Sequence, residues 1–441
     1  MLKKAFSVTL FTLLTTTAAF ATGNADFSGI ISESIVNKSG VSLTITDINL
    51  GKEVYKLHSK QHFHPASIQK MITYKVIEET LGKDYKFETK LFKNNNNEYI
   101  IKLGADPLLT TEDLKKLVMH IQPGAKAIYI DDSIVDDKNW GEGWQWDDDL
   151  NPLMPKFGAY NLDGNLIKIT IVPTIEGAPA QINQDKFYPL SFVNDVVTGH
   201  ENKISIGRKN HIAPDMIYLS GSVKTLDSKL IPINNIKRYF KLSLERILND
   251  EKIDYSGIYK FKKVTPEFKQ IAVVSHSLKD VQKEILSNSN NLATESAFKV
   301  AASTLGEGSF ENGLELFKQY CKKYNFDISD IRIVDASGVS KNNLLTGEFV
   351  SAFLAAKGNS SLKELLPTAG EGTLTNRMSY LTGKLHAKTG TLADISSLAG
   401  YIDAKSGETY TFCIMISDPK SKNADKKMLE EYLIREIYTK L

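Results

Sequence analysis

Three short motifs in a fixed order constrain this chain more than anything else in it: Ser67-Ile-Gln-Lys70, Ser289-Asn290-Asn291 and Lys388-Thr389-Gly390-Thr391. To act together they require a fold that brings a helix start, a loop and a strand end from distant parts of the sequence into one cleft. S-x-x-K alone has little specificity, because it recurs at Ser296, Ser360 and Ser417. Order, spacing and local context therefore carry the argument.

Each motif supplies a different chemical part. In Ser67-x-x-Lys70 one helical turn sets both side chains on the same face. A serine hydroxyl needs a base within hydrogen-bond reach to become a nucleophile. Lysine can be that base only as a neutral amine, so burial or a neighbouring cation must lower its pKa. Lys388 is the expected cation, and the helix N-terminus adds positive potential. Ser289 can relay a proton, and Asn291 can hold Lys70 and bind a substrate amide. The bland reading of Ser-Asn-Asn is a helix N-cap, and Ser287-Asn288 just upstream leaves the register open by two residues. Lys388 and Thr391 can bind a carboxylate, with Thr389 beside them, and Gly390 would let a substrate backbone approach closely. The backbone N–H groups of Ser67 and Thr391 are the expected oxyanion hole, worth roughly 3–4 kcal/mol per donor. The set implies serine acyl transfer without histidine.

The first residues read as an address. Lys3 and Lys4 precede an apolar run from Ala5 to Leu14, and Ala19-Phe20-Ala21 fits a small-x-small cleavage site. The run is short of the roughly 20 residues that span a bilayer, so export with removal of residues 1–21 is expected. Losing those two lysines takes the formal charge from +2 to about zero, which gives no reason to expect nucleic acid as a partner. The amphipathic stretch from Lys427 reads as a helix packed on a sheet and not as a membrane anchor, because Glu430, Glu431 and Glu436 would face anionic lipid. Cys321 and Cys413 lie in apolar runs and read as two buried thiols, with a disulfide as the alternative. His62-Phe-His64 has strand spacing but no recognisable third ligand, so no metal is expected there.

A strand pair is expected after the leader: Val41-Ser-Leu-Thr-Ile-Thr46, a turn at Asn49-Leu-Gly51, then Val54 to Leu57. Ile68, Met71, Ile72, Val76 and Ile77 recur at helical spacing, with Gly82 as the C-terminal cap. Three strands are expected at Lys384–Lys388, Ser397–Ile402 and Tyr410–Ile416, then a helix from Ala424. The two ends of the chain would complete one antiparallel sheet covered by helices. The stretch from Phe92 to Gln270, with short alternating runs broken by Pro, Gly and Asn, reads as a β-rich insertion.

With these residues in view, the chain resembles the class C low-molecular-mass penicillin-binding proteins, the D-alanyl-D-alanine carboxypeptidase/endopeptidases. Gly104-Ala-Asp-Pro-Leu-Leu-Thr110, Trp140-Gly-Glu-Gly-Trp-Gln-Trp-Asp-Asp148, Asp335-Ala-Ser-Gly-Val-Ser-Lys-Asn342 and Gly370-Glu-Gly-Thr-Leu-Thr375 look like signatures of that family. The resemblance implies an α+β, multidomain architecture: an acyltransferase domain like that of the penicillin-binding proteins and serine β-lactamases, interrupted by inserted domains. The expected units are 22–91 with 271–441 for the acyltransferase, 92–165 with 241–270 for one inserted domain, and 166–240 for a second. It further implies a periplasmic enzyme that cleaves peptidoglycan stem peptides ending in D-Ala-D-Ala, and their crosslinks, and is acylated by β-lactams without a cofactor. Ser67 would be the nucleophile, Lys70 its base, Ser289 and Asn291 the second motif, and Lys388 to Thr391 the carboxylate site. Asp148 would meet the free amine of a diamino acid; a solvated acidic turn is the alternative. Asn290 stands where Asp is usual and should point away from the reaction, and Lys341 stands where Arg is common. A β-lactamase shares the motifs, but the long insertion speaks against its compact plan. A catalytically silent peptidoglycan-binding module would not explain an intact Ser67/Lys70/Lys388 set.

Overall fold

The computed structural model describes residues 25–209, 212–259 and 262–441. The leader expected over residues 1–21 and its cleavage site at Ala21 lie outside the described residues. Among the described residues a helix precedes the expected strand pair: α1 (Phe27–Glu33), capped by Asp26, which accepts from Gly29 N–H at 2.8 Å. Phe27 and Ile31, one turn apart, are its buried residues.

The expected pair follows as β1 (Val41–Asp47) and β2 (Lys52–Leu57). Short strand β3 (His62–Phe63) leads to a 3-10 turn over Ala66–Gln69 and helix α2 (Lys70–Leu81). Every residue from Lys70 to Glu78 is buried. The polar ones are paired inside: Lys75 bonds Glu78 at 2.5 Å and Tyr74 donates to it at 3.2 Å. At Gly82 (φ +82) the backbone turns out of the helix and its N–H closes on Glu78 O.

The stretch expected to be β-rich holds three sheets and also two amphipathic helices. Strands β4 (Lys86–Lys93), β5 (Glu98–Lys102) and β6 (Ala127–Asp131) enclose α3 (Thr111–Val118). Strands β7 (Leu166–Val172), β8 (Gln181–Gln184), β9 (Ser191–Thr198), β10 (Lys203–Lys209), β11 (Ala213–Val223) and β12 (Asp227–Pro232) follow. Helix α4 (Ile236–Asp250) then leads to β13 (Ile258–Tyr259) and β14 (Lys269–Ser277). The order β13-β6-β5-β4-β14 makes one five-stranded sheet, and β12-β7-β8 and β10-β11-β9 make two of three strands. The pairing of β14 with β4 runs from Lys269↔Lys93 to Ser277↔Lys86, beyond both 92 and 270.

Helices α5 (Leu278–Leu286), α6 (Asn291–Ala302) and α7 (Phe310–Lys323) pack against α2. After β15 (Leu345–Thr346) come α8 (Gly347–Ala355) and the short α9 (Leu362–Leu365). The chain ends with β16 (Leu385–Thr391), β17 (Ile395–Asp403), β18 (Thr409–Ser417) and α10 (Asn423–Lys440). The order β16-β17-β18-β1-β2 closes the antiparallel sheet expected from the two chain ends, with β1 matched to β18 from Val41↔Ile416 to Asp47↔Tyr410. Its faces differ. Val41, Leu43 and Ile45 pack with Phe27 and Ile31 of α1 and with Leu429, Leu433 and Ile437 of α10. Thr46 turns the other way and bonds Ser351 of α8 at 2.8 Å.

Helix α10 is held to this sheet by charge as well as apolar area. Glu430, fully buried, pairs with Arg377 at 2.9 Å and accepts from Ser396 at 2.7 Å. No helix among the described residues is long and apolar enough to cross a membrane. Cys321 and Cys413 are buried free thiols; burial pushes Cys321 up to about 12 and raises Cys413 as well.

Candidate active site

Ser67 sits in the 3-10 turn ahead of α2, not on the helix itself. The turn is pinned from two sides. Ala66 has φ +49, a conformation unusual for a residue with a Cβ. Gly338 (φ +80) backs directly onto it: a Cβ there would stand 2.0 Å from Ala66 O. From β16, Gly390 would place a Cβ 2.2 Å from Ser397 Oγ and 3.0 Å from Pro65 O, and Ser397 Oγ donates to that carbonyl at 2.7 Å. The missing side chain of Gly390 thus lets the strand and the Ser67 turn close on each other.

Lys70 is fully buried and its Nζ has three oxygen neighbours: Ser67 Oγ at 2.9 Å, Asn291 Oδ1 at 2.6 Å and Ser337 O at 2.7 Å. Burial brings the amine down to about 7, against the opposing pull of Asp335 and Glu295. Desolvation, not the expected cation Lys388, is thus the main cause. Lys388 is itself 0% exposed and well below its ordinary range, first through burial and then through the charge of Lys70. Like-charge repulsion is mutual, so the pair resists carrying two protons.

The second motif resolves its register at the start of α6. Asn290 is the N-cap, accepting from Ala293 N–H at 3.0 Å and donating to Glu284 at 3.1 Å, so it points away from the cleft as expected. Asn291, the first helical residue, donates to Leu153 O at 2.7 Å while its oxygen meets Lys70. Ser289, at φ +58, lines the cleft together with Asn288.

On β16 the pleat separates the third motif into two faces. Thr389 and Thr391 line the cleft, whereas Lys388 lies beneath it and donates to Thr389 O at 3.1 Å. Thr389 also donates to Thr373 at 2.7 Å. The two threonines thus face the cleft, with the Lys388 amine buried below its floor.

The cleft encloses about 470 Å³, within the usual range for a small-ligand site. Asp148 lines it from the inserted stretch, on the 3-10 turn Trp146–Leu150. Burial raises its carboxyl, Asp147 adds to this, and Lys341 opposes it. The next residue, Asp149, is tied to the nearly buried Arg208 at 3.3 Å, and Arg208 donates to Pro232 O at 2.6 Å.

Several site residues had no role assigned from sequence. Asp335 accepts from Trp144 Nε1 at 2.8 Å, Gly338 N–H at 2.7 Å, Ser340 N–H at 2.6 Å and Asn343 Nδ2 at 2.8 Å. It organises a loop whose Ser337 carbonyl reaches Lys70. The runs Trp140–Asp148 and Asp335–Asn342 stood out as family signatures, which was the available signal. His64 Nδ1 meets Asn343 O at 3.1 Å and His62 Nε2 meets Asp330 O at 2.8 Å. Among the described residues no group of three or more His, Cys, Asp or Glu could hold a metal ion. The rival pair Ser296/Lys299 is closed off: Asn161 donates to Ser296 Oγ at 2.8 Å and Lys299 pairs with Asp136.

A hydroxyl, a desolvated amine and a second buried amine thus converge in one cleft, an arrangement suited to nucleophilic attack on an acyl group beside a carboxylate. The chain is similar to known proteins over most of its length. The chain is 24% identical over 428 residues to the D-alanyl-D-alanine carboxypeptidase of Actinomadura sp. (strain R39), covering 87% of this chain and 79% of that one. It is 23% identical over 445 residues to D-alanyl-D-alanine carboxypeptidase DacB of Haemophilus influenzae, covering 92% and 93%. The crystal structure of penicillin binding protein 4 (dacB) from Haemophilus influenzae superposes with a TM-score of 0.82 at 22% identity, over 94% of this chain and 99% of that one, and so shares the fold. The family model for D-Ala-D-Ala carboxypeptidase 3 (S13) matches residues 24–434, nearly the whole length, and the chain belongs to that family.

Proposed function

We propose that this enzyme of the D,D-carboxypeptidase/endopeptidase class hydrolyses D-Ala-D-Ala stem peptides and peptidoglycan crosslinks through an acyl-enzyme on Ser67. The observation that carries the proposal is the bonding of Lys70. Asn291 Oδ1 and Ser337 O can only accept, so they take both N–H groups of a neutral amine. The lone pair is then left for the Ser67 hydroxyl at 2.9 Å, which makes Lys70 a base already aimed at its proton.

Ser67 Oγ attacks the carbonyl carbon of the penultimate D-Ala while its proton passes to Lys70. The oxyanion is held by the backbone N–H groups of Ser67 and Thr391. As the C–N bond breaks, Ser289 relays a proton to the departing D-Ala amine. Water then attacks the ester, returning Ser67 and releasing the shortened peptide. Thr389 and Thr391 bind the terminal carboxylate over the charge of Lys388, and Asp148 receives the amine of a diamino acid in the donor peptide. A β-lactam enters by the same attack, opening its ring and remaining as an ester. Export to the periplasm, with cleavage near Ala21, would bring the enzyme to this substrate.

Intact-mass measurement after benzylpenicillin treatment tests the assignment. One adduct is expected on the wild type and none on Ser67→Ala; an adduct that survives in the variant would mean a different serine is acylated. Rapid loss of the wild-type adduct with penicillin turnover would instead favour a β-lactamase.

A further inference from the structure

Asn291 and Glu295 are four residues apart on α6 and share a face. Asn291 touches Lys70 directly. Glu295 does not, yet its Oε1 accepts from Ala336 N–H at 3.0 Å and Ser337 N–H at 2.8 Å, with Oε2 at 3.3 Å from Ala336 N. Ser337 then presents its carbonyl to Lys70 at 2.7 Å. Glu295 is 3% exposed, and among the described residues no lysine or arginine forms an ion pair with it. Burying a carboxylate without a paired cation is costly, and a neutral side chain could cap the same two N–H groups.

We propose that Glu295 is a positioning residue for Lys70, acting through the Ser337 backbone and not by contact. The inference rests on the reading of Ser67 and Lys70 given above. It has a geometric half and an electrostatic half. The carboxylate fixes the peptide segment whose carbonyl occupies one N–H of the amine, which keeps the lone pair on Ser67. Its charge also acts on the amine, together with those of its other neighbours. Asn291 and Glu295 face Lys70 from α6, Asp335 and Ser337 from the loop, Lys388 from β16, and Ser67 from its own turn. Asp335 and Glu295 favour the ammonium form, and burial disfavours it. Burial and Asp335 push the Glu295 carboxyl itself upward, against the two backbone N–H groups that favour its charged form.

The test is the pH dependence of benzylpenicillin acylation, followed by intact mass from pH 5 to 9 on wild type, Glu295→Gln and Glu295→Ala. The wild-type rate should rise with pH to a plateau above about 7, as the ammonium loses its proton. Glu295→Gln keeps an acceptor for both N–H groups but removes the charge that holds the proton on Lys70. Its acidic limb should move to lower pH by of order one unit, with the plateau retained. Glu295→Ala removes the clamp too, and its plateau should fall about 10- to 100-fold below that of Glu295→Gln. A Gln profile that superposes on the wild type overturns the inference, whatever the Ala variant does. So does an Ala plateau equal to that of Gln. Should Ala fail to fold, the Gln limb decides alone. Failure of the underlying reading looks different: acylation would persist in Ser67→Ala or be absent from the wild type.

Discussion

The turn that carries Ser67 is held by close backbone packing from two other segments. Ala66 adopts φ +49 because Gly338 and Gly390 let two neighbouring segments press onto the turn from opposite sides. A left-handed non-glycine residue costs about 1–2 kcal/mol, and such strain persists only where its surroundings over-determine it. Gly338→Ala would add a Cβ 2.0 Å from Ala66 O at a backbone angle of φ +80. We expect a loss of about 2 kcal/mol or more in urea unfolding, together with slower benzylpenicillin acylation. Wild-type values in both measurements would show that the turn is not supported this way. The motif side chains were legible in the sequence because their spacing encodes a shared face on a single turn and a strand pleat. Their supports were not: Ser337 meets Lys70, Leu153 meets Asn291 and Glu295 meets Ser337 across long stretches of chain, and no local pattern records that.

At the scale of elements, legibility followed apolar periodicity. Strands β1 and β16 to β18 and helices α2 and α10 carry dense apolar repeats and lie close to where the pattern set them. Helix α1 escaped notice because its seven residues offer only Phe27 and Ile31 as a repeat. Helices α3 and α4 were absorbed into a β-rich reading by the alternating runs around them. One junction beside that stretch is expected to respond to pH. His276 on β14 bonds Asp106 at 2.7 Å and faces Asp113 of α3 at 3.8 Å. Its bond to Asp106 is the main force raising its pKa above 6.5. A histidine raised in the folded state contributes stability that is fully present below its unfolded pKa and is lost as pH rises through its folded one. The gap in urea midpoint between wild type and His276→Gln should therefore be wider at pH 6 than at pH 9. A gap independent of pH would rule out a charged His276 as its source.

Among the described residues the two larger apolar cores lie on opposite sides of the five-stranded sheet β16-β17-β18-β1-β2, and a third, small cluster joins Trp144, Met154, Phe157 and Leu292. The larger of the two extends without a break from α2 and its partner helices into the inserted sheets, and the smaller joins α1 and α10 to the other face. The insertion is thus part of the catalytic wall: Trp144 bonds Asp335 and Leu153 bonds Asn291. Helix α10 seals the smaller core with Leu429, Leu433, Ile434 and Ile437, all buried. At about 1.5–3 kcal/mol each, their exposure would remove roughly 6–12 kcal/mol, comparable with the whole stability of a typical domain, about 5–15 kcal/mol. Removing residues 423–441 should leave no cooperatively folded protein by circular dichroism. A truncated chain that melts like the full-length one would mean that α10 is dispensable to the core.

Strand β1 lies between β2 and β18, with its partner residues Tyr410 to Ile416 nearly at the far terminus. As a ribosome delivers the polypeptide from its front end, the hydroxyl at position 67 emerges long before the segment that completes this sheet. A chain broken anywhere ahead of Thr409 lacks the strand that pairs with β1, so this sheet closes only once that segment has been made.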